Sequence, residues 1–323
     1  MRRDLNKGAS TLEGVLVLVV LVVIVFLTPR DGTGTGGSWN WTPGTTLMSV
    51  STSSYSSVAP PTGTAPGTSL TTSSYRDTIF VGSGNAASTY QPYEEYITIE
   101  HSGDSPINIT GWQLKNGKDK RPYYLGNVLQ RYSADVALIP QATVYLPASG
   151  SPVMQDIVLS PREKVVVTTG FPSVNSPYRI TNFKENICTG YIESLPEYAF
   201  RPSLSYNCPY PAEEPGIEAL DVKCRNIVRS LPSCTTPVFE RRDREGNPCD
   251  TCLNGEILAS HCAAFIKEHF SYKGCLAYHS ADPKFFGNTW RVFLGRGWEM
   301  WASEYETIEL YDRLGQLVNF QNY

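Results

Sequence analysis

Glu95-Tyr96-Ile97-Thr98-Ile99-Glu100, followed after the turn Gly103-Asp104-Ser105-Pro106 by Ile107-Asn108-Ile109-Thr110, is the stretch that decides the fold. Side chains on a strand point alternately to its two faces, so Ile97 and Ile99 lie on one side and Thr98 and Glu100 on the other. Two such runs with turn residues between them predict antiparallel strands with one buried face. Working outward, Lys164-Val165-Val166-Val167-Thr168 follows the turn Ser160-Pro161-Arg162-Glu163, which has Pro at its second position. At the far end, Glu306-Thr307-Ile308-Glu309-Leu310-Tyr311 and Gln316-Leu317-Val318-Asn319-Phe320 flank Asp312-Arg313-Leu314-Gly315. That pattern predicts a hairpin with Ile308 and Leu310 inside and Gly315 at a positive backbone angle beside a bulge. Short strands at both ends point to a mainly β, two-sheet sandwich.

Taken in order, Glu95-Tyr96-Ile97-Thr98-Ile99, then Ile107 to Gln113-Leu114 through Gly111-Trp112, then Leu159 to Val167, resemble the lamin-tail domain. The resemblance covers roughly residues 80–170 and 288–323. It implies an immunoglobulin-like β-sandwich and a non-enzymatic binding or cell-surface architecture role. Trp112 is expected to be core packing, because a sandwich core commonly holds one large aromatic. Residues from about 187 to 287 fall outside the lamin-tail pattern, and they contain every cysteine in the chain.

Cys188, Cys208, Cys224, Cys234, Cys249, Cys252, Cys262 and Cys275 form an even set within less than a third of the sequence. In an exported chain this reads as a disulfide framework for a partly helical insertion with a small core of its own. Helices are expected over 217–231 and 256–270, where Ile257, Leu258, Cys262, Phe265 and Ile266 recur at helical spacing. Eight cysteines allow 105 pairings. Local closure favours Cys188–Cys208, Cys224–Cys234 and Cys262–Cys275. Cys249-Asp250-Thr251-Cys252 has rivals to a structural bridge. It could be half of a zinc site completed by His261, Cys262, His269 or Cys275, or a redox pair at a helix start.

The other functional signals are weaker. His101, His261, His269 and His279 sit in no spaced motif and read as solvent-exposed, with His261 and His269 on one helical face. No GxSxG, Walker loop or dinucleotide fingerprint occurs, so no catalytic residue, cofactor or resident metal is expected. Net charge is −4 with no basic stripe, which argues against a nucleic-acid partner. The run Glu240 to Glu245 is balanced in sign and reads as a solvated loop. Trp290, Phe293, Trp298, Trp301 and Tyr305 are expected to fill the seam between insertion and sandwich.

The N-terminus sets the compartment. A basic head, residues 1–11 with Arg2, Arg3 and Lys7, precedes an apolar segment over 12–29. That order predicts a single membrane-spanning helix with the C-terminal domain on the outer side of the cytoplasmic membrane. A plain signal-anchor is the leading reading, and a cleaved signal peptide is also compatible. Lys7-Gly8-Ala9-Ser10-Thr11-Leu12-Glu13 resembles a type IV prepilin signal, which implies cleavage after Gly8, a new N-terminus at Ala9, and Glu13 as its fifth residue. Residues 30–78 follow as a linker, with Ser, Thr, Gly and Pro at 32 of the 46 positions from Asp31 to Arg76. Such a composition cannot bury enough apolar surface to order itself, and its mean reach is roughly 35–40 Å. Residues 79–323 then form the lamin-tail-like domain, expected to bind a protein or cell-wall polysaccharide ligand. A pilin-like subunit, and a redox or metal-dependent activity at Cys249 and Cys252, are the alternatives.

Overall fold

The computed structural model describes residues 72–172 and 180–323. The basic head, the apolar segment 12–29, Gly8, Ala9, Glu13 and most of the linker lie outside the described residues. Among the described residues no helix is long and apolar enough to cross a membrane.

Residues 72–323 are mainly β. One sheet has the order β1 (Ile79–Gly82), β2 (Tyr96–His101), β9 (Lys164–Thr168), β14 (Phe286–Phe293), β10 (Phe183–Asn186). The second runs β16 (Leu317–Asn322), β15 (Thr307–Tyr311), β4 (Gln113–Asn116), β7 (Val136–Leu138). Smaller pairs join β3 (Ile107–Asn108) to β8 (Val158–Leu159), and β5 (Pro122–Leu125) to β6 (Val128–Arg131).

Alternation explains the packing. Ile97 faces Val167 and Ile99 faces Val165 across β2 and β9, while Leu114 faces Leu310 across β4 and β15. These inward rows meet in one core with Trp112, Trp290, Val292, Ile308 and Val318. Each fully buried aliphatic side chain there contributes about 1.5–3 kcal/mol. Trp112 is only 2% exposed, and the Tyr75 ring lies 5.2 Å from it. The final hairpin carries the expected bulge between Leu310 and Tyr311, and Gly315 has φ 73°. The Asp312 carboxylate accepts from the backbone N–H groups of Leu314 and Gln316 and fixes that turn.

Three expectations are corrected. The sheet is not wholly antiparallel, because β9 and β14 run parallel with Val165 beside Trp290 and Val167 beside Val292. A parallel pair needs a long crossover, and here it is the whole of residues 169–285. The folded unit also begins before residue 79. Thr72 bridges to Leu317, the Ser73 N–H donates to the Leu317 carbonyl, and Ser73 is buried. Of the late aromatics, Trp290 and Trp301 belong to the sandwich core and only Phe293 joins a seam cluster, whereas Trp298 and Tyr305 are exposed.

Glu95 ties the sandwich to its last loop. Its fully buried carboxylate accepts from Thr169 Oγ1 at 2.5 Å and from the N–H groups of Met300 and Trp301 at 2.8 and 3.2 Å. Desolvation pushes this carboxyl above the usual range, and the three donors oppose that shift.

Candidate functional site

The cysteine-rich insertion leaves β10 and returns on β14, two strands that are neighbours in one sheet. Asn186 and Phe286 stand opposite each other, and the Ile187 N–H donates to the Phe285 carbonyl at 3.0 Å. The disulfide Cys188–Cys275 closes this neck. Beyond it lie α1 (Val222–Arg229), α2 (Ser260–His269), α3 (Tyr272–His279) and a small sheet of β11 (Glu240–Arg242), β12 (Pro248–Leu253) and β13 (Glu256–Ile257). The expected helices are present but shorter, α3 was not expected, and the charged run opens as strand β11 instead of a loop.

All eight cysteines are paired: Cys188–Cys275, Cys208–Cys234, Cys224–Cys262 and Cys249–Cys252. The pairing by sequence proximity is therefore corrected. Tertiary packing decides it instead. Ile217, Val228, Ile266 and Phe270 gather α1 and α2 around one apolar cluster, which brings Cys224 to Cys262. The neck brings the first cysteine to the last.

The CxxC pair does not sit ahead of a helix. Cys249 and Cys252 lie within β12, with Cys252 fully buried, and α2 begins only at Ser260. The candidate zinc ligands are each engaged elsewhere. Cys262 and Cys275 are in bridges, His261 Nε2 contacts Asp221 Oδ2 at 2.7 Å, and His269 Nδ1 contacts Glu214 Oε1 at 2.9 Å. Asp221 also caps α1 by accepting from the Cys224 N–H. That bond first, and His261 second, hold its carboxyl below the usual range.

No protein-family model matches this chain, and no curated protein is similar to it.

Sequence reasoning missed a buried cluster of ionisable side chains. His101, His269 and His279 are buried, and of the four histidines only His261 is exposed. Glu214, 5% exposed, receives His269 on one oxygen and His279 Nε2 on the other at 3.3 Å, while His279 Nδ1 lies 2.9 Å from Asp282. Each ring nitrogen of His279 therefore faces a carboxylate oxygen, one from Glu214 and one from Asp282. The His269 ring is stacked between Phe265 and Tyr278, at 4.0 and 3.7 Å. Tyr278 in turn donates to Glu268 at 2.5 Å, which raises its phenol.

Gly274 makes this arrangement possible. A Cβ there would overlap the Glu268 carbonyl and lie 2.5 Å from that of His269, so only glycine allows α3 to fold back tightly on α2. With both oxygens of Glu214 engaged and both faces of His269 covered, the group works as a clamp between helices, not as an open acid–base centre.

The insertion is also pinned to the sandwich. Glu185, 2% exposed, accepts from Arg291 Nε at 2.5 Å and from the backbone N–H and hydroxyl of Ser205. The rest of the Arg291 guanidinium donates to the carbonyls of Pro202 and Ser203 at 2.7 and 2.8 Å. Phe183, Phe200, Leu204 and Phe293 fill the seam beside this pair.

Proposed function

We propose that this chain is a non-enzymatic, membrane-tethered extracytoplasmic module of lamin-tail type. In this reading an immunoglobulin-like sandwich, held off the bilayer by its linker, presents a disulfide-stapled insertion to a protein or cell-wall polysaccharide. The observation that carries the reading is the set of four disulfides using all eight cysteines, because such bridges persist where the environment is oxidising. The basic head ahead of the apolar segment supports the same side of the membrane. The sandwich core around Ile99, Trp112 and Ile308, with Gly111-Trp112 between its strands, supports the lamin-tail comparison.

Protease added to spheroplasts tests this directly. Cleavage should fall between residues 31 and 71 and release a stable fragment without titratable thiols. Protection of the linker would reverse the topology. Two reactive thiols at Cys249 and Cys252 would put the redox reading first. The Gly8-to-Glu13 sequence supports a second reading, a pilin-like subunit, and a native N-terminus at Ala9 would put that machinery ahead of a plain anchor.

A further inference from the structure

Strands β5 and β6 form a two-stranded hairpin that joins neither large sheet. Its two-residue turn, Gly126-Asn127, is closed by Leu125 opposite Val128, followed inward by Tyr124 opposite Leu129, Tyr123 opposite Gln130, and Pro122 opposite Arg131. Leu125, Val128, Tyr124 and Leu129 are 68%, 58%, 73% and 50% exposed, so the tip is apolar on the outside and buries little against the domain. A hairpin of this kind is marginal alone in water. Here its base is secured, since the ladder continues through Lys120 and Tyr132, Tyr123 stacks on Tyr132 at 4.3 Å, and Arg121 donates to the Tyr305 carbonyl at 2.5 Å.

The charge at that base is one-sided. From Lys115 to Tyr132 there are five cations, Lys115, Lys118, Lys120, Arg121 and Arg131, and one carboxylate, Asp119, in a chain whose net charge is −4. Among the described residues Lys118, Lys120 and Arg131 take part in no ion pair, whereas Lys115 and Arg121 do. Arg131 also donates to the Lys120 carbonyl, which holds its head at the level of the collar.

We propose that this hairpin is a membrane-docking arm whose occupant is a bilayer surface with anionic headgroups. At about 3.4 Å per residue the two apolar layers span about 7 Å, and Arg131, Arg121 and Lys120 sit about 10–17 Å behind the tip. Interfacial segments bury their apolar part about 5–10 Å into the headgroup–acyl boundary, with tyrosine at the interface and cations among anionic lipids. The order apolar, aromatic, cationic along β5 and β6 matches that depth profile. A polysaccharide fits less well, because three of the four tip side chains are aliphatic, Tyr124 is the one open ring among them, and Tyr123 and Tyr132 each spend one face on the other. A second copy would bring two basic collars together. The arm rests on the tethered reading for the nearness of its bilayer, and the following experiment separates the two.

The full chain, with a photo-crosslinking benzoylphenylalanine in place of Tyr124, is reconstituted with vesicles of phosphatidylglycerol and phosphatidylcholine, or of phosphatidylcholine alone. Flotation reports the anchor and the lipid adduct reports the arm. The adduct should form with phosphatidylglycerol. It should fall at least about tenfold in Lys118→Glu/Lys120→Glu/Arg131→Glu, since each cation near an anionic leaflet contributes roughly a fivefold preference. Leu125→Asp/Val128→Asp should fall similarly, with flotation unchanged in both variants. Flotation without an adduct, an equal adduct from a probe at exposed Val238, insensitivity to both variants, or crosslinking to a second copy would overturn the arm alone. Failure to float with either vesicle would overturn the arm and the tether together.

Discussion

Replacing Cys188 and Cys275 together by alanine opens the neck of the insertion, and the size of the effect follows from the loop that the bridge closes. If it were the chain's sole crosslink, its span of 87 residues would restrict the unfolded chain by about 4.6 kcal/mol. The bridges Cys208–Cys234 and Cys224–Cys262 shorten the path from Cys188 to Cys275 to stretches of 20, 10 and 13 residues. The same relation then leaves about 4 kcal/mol. Removing Cys249 and Cys252 opens a separation of 3 residues and costs at most about 1.6 kcal/mol. Native-state amide exchange reads both directly. Amides of α2 and α3 should exchange about a thousandfold faster in the first variant, and those of β11–β13 about fifteenfold faster in the second. Protection around Ile99, Val165 and Ile308 should hold in both. Equal loss in those strands, or a larger effect from the Cys249–Cys252 pair, would refute the reasoning.

Glu185→Gln removes one partner of a buried ion pair and leaves Arg291 charged, which should cost about 3–5 kcal/mol in urea unfolding. Trp112→Ala should destabilise by about 3–5 kcal/mol through transfer and cavity terms, seen as a lower urea midpoint with all four disulfides intact. Tyr191 and Tyr272 are pushed up to about 12 by burial. An unfolded tyrosine ionises near about 10. The folded state therefore keeps these protons longer, and the stability they contribute is complete below pH about 10 and lost as pH rises through about 12. Absorbance titration with parallel circular dichroism should show late phenolate formation coinciding with loss of structure. Gly274→Ala should part α3 from α2, visible by NMR as loss of the His279 contact to Glu214 while the sandwich spectrum is retained.

The sandwich strands were legible because each carries its own alternation, as in Tyr96–Glu100 and Thr307–Tyr311, and because Gly315 marks its turn. The parallel register of β9 and β14 was not, since it depends on a crossover containing a separate cluster of helices. The cysteine pairing failed for a related reason: helix faces choose partners, and Cys224 finds Cys262 through the cluster around Val228 and Ile266. The start of the helix expected over 256–270 is strand β13 instead, because Ile257 and Leu258 fit the helical spacing of Cys262 and Ile266 while the Asn254-Gly255 turn pairs Leu253 with Glu256. Helix α3 spans eight residues with a glycine inside, so its periodicity is faint. The Glu214, His269 and His279 clamp joins groups 55 and 65 residues apart, which no local spacing reveals. The β5–β6 hairpin had a usable signal, Gly126-Asn127 between two apolar runs, and its uniform exposure removes the alternation that marks other strands.

Because Asn186 and Phe286 face each other across adjacent strands, the domain has a natural graft point. A two-residue turn between them would convert β10 and β14 into a hairpin that keeps the register shift between Lys184 and Asn186, and would delete the whole cysteine-rich segment. The parallel partner β9 would keep its register, since its contacts with Trp290 and Val292 lie on the far side of β14. Arg291 is the residue such a shortened chain would have to replace, because its guanidinium would lose the carbonyls of Pro202 and Ser203. The same junction could accept a foreign segment whose ends lie about one strand spacing apart, ~5 Å, making the sandwich a scaffold for display.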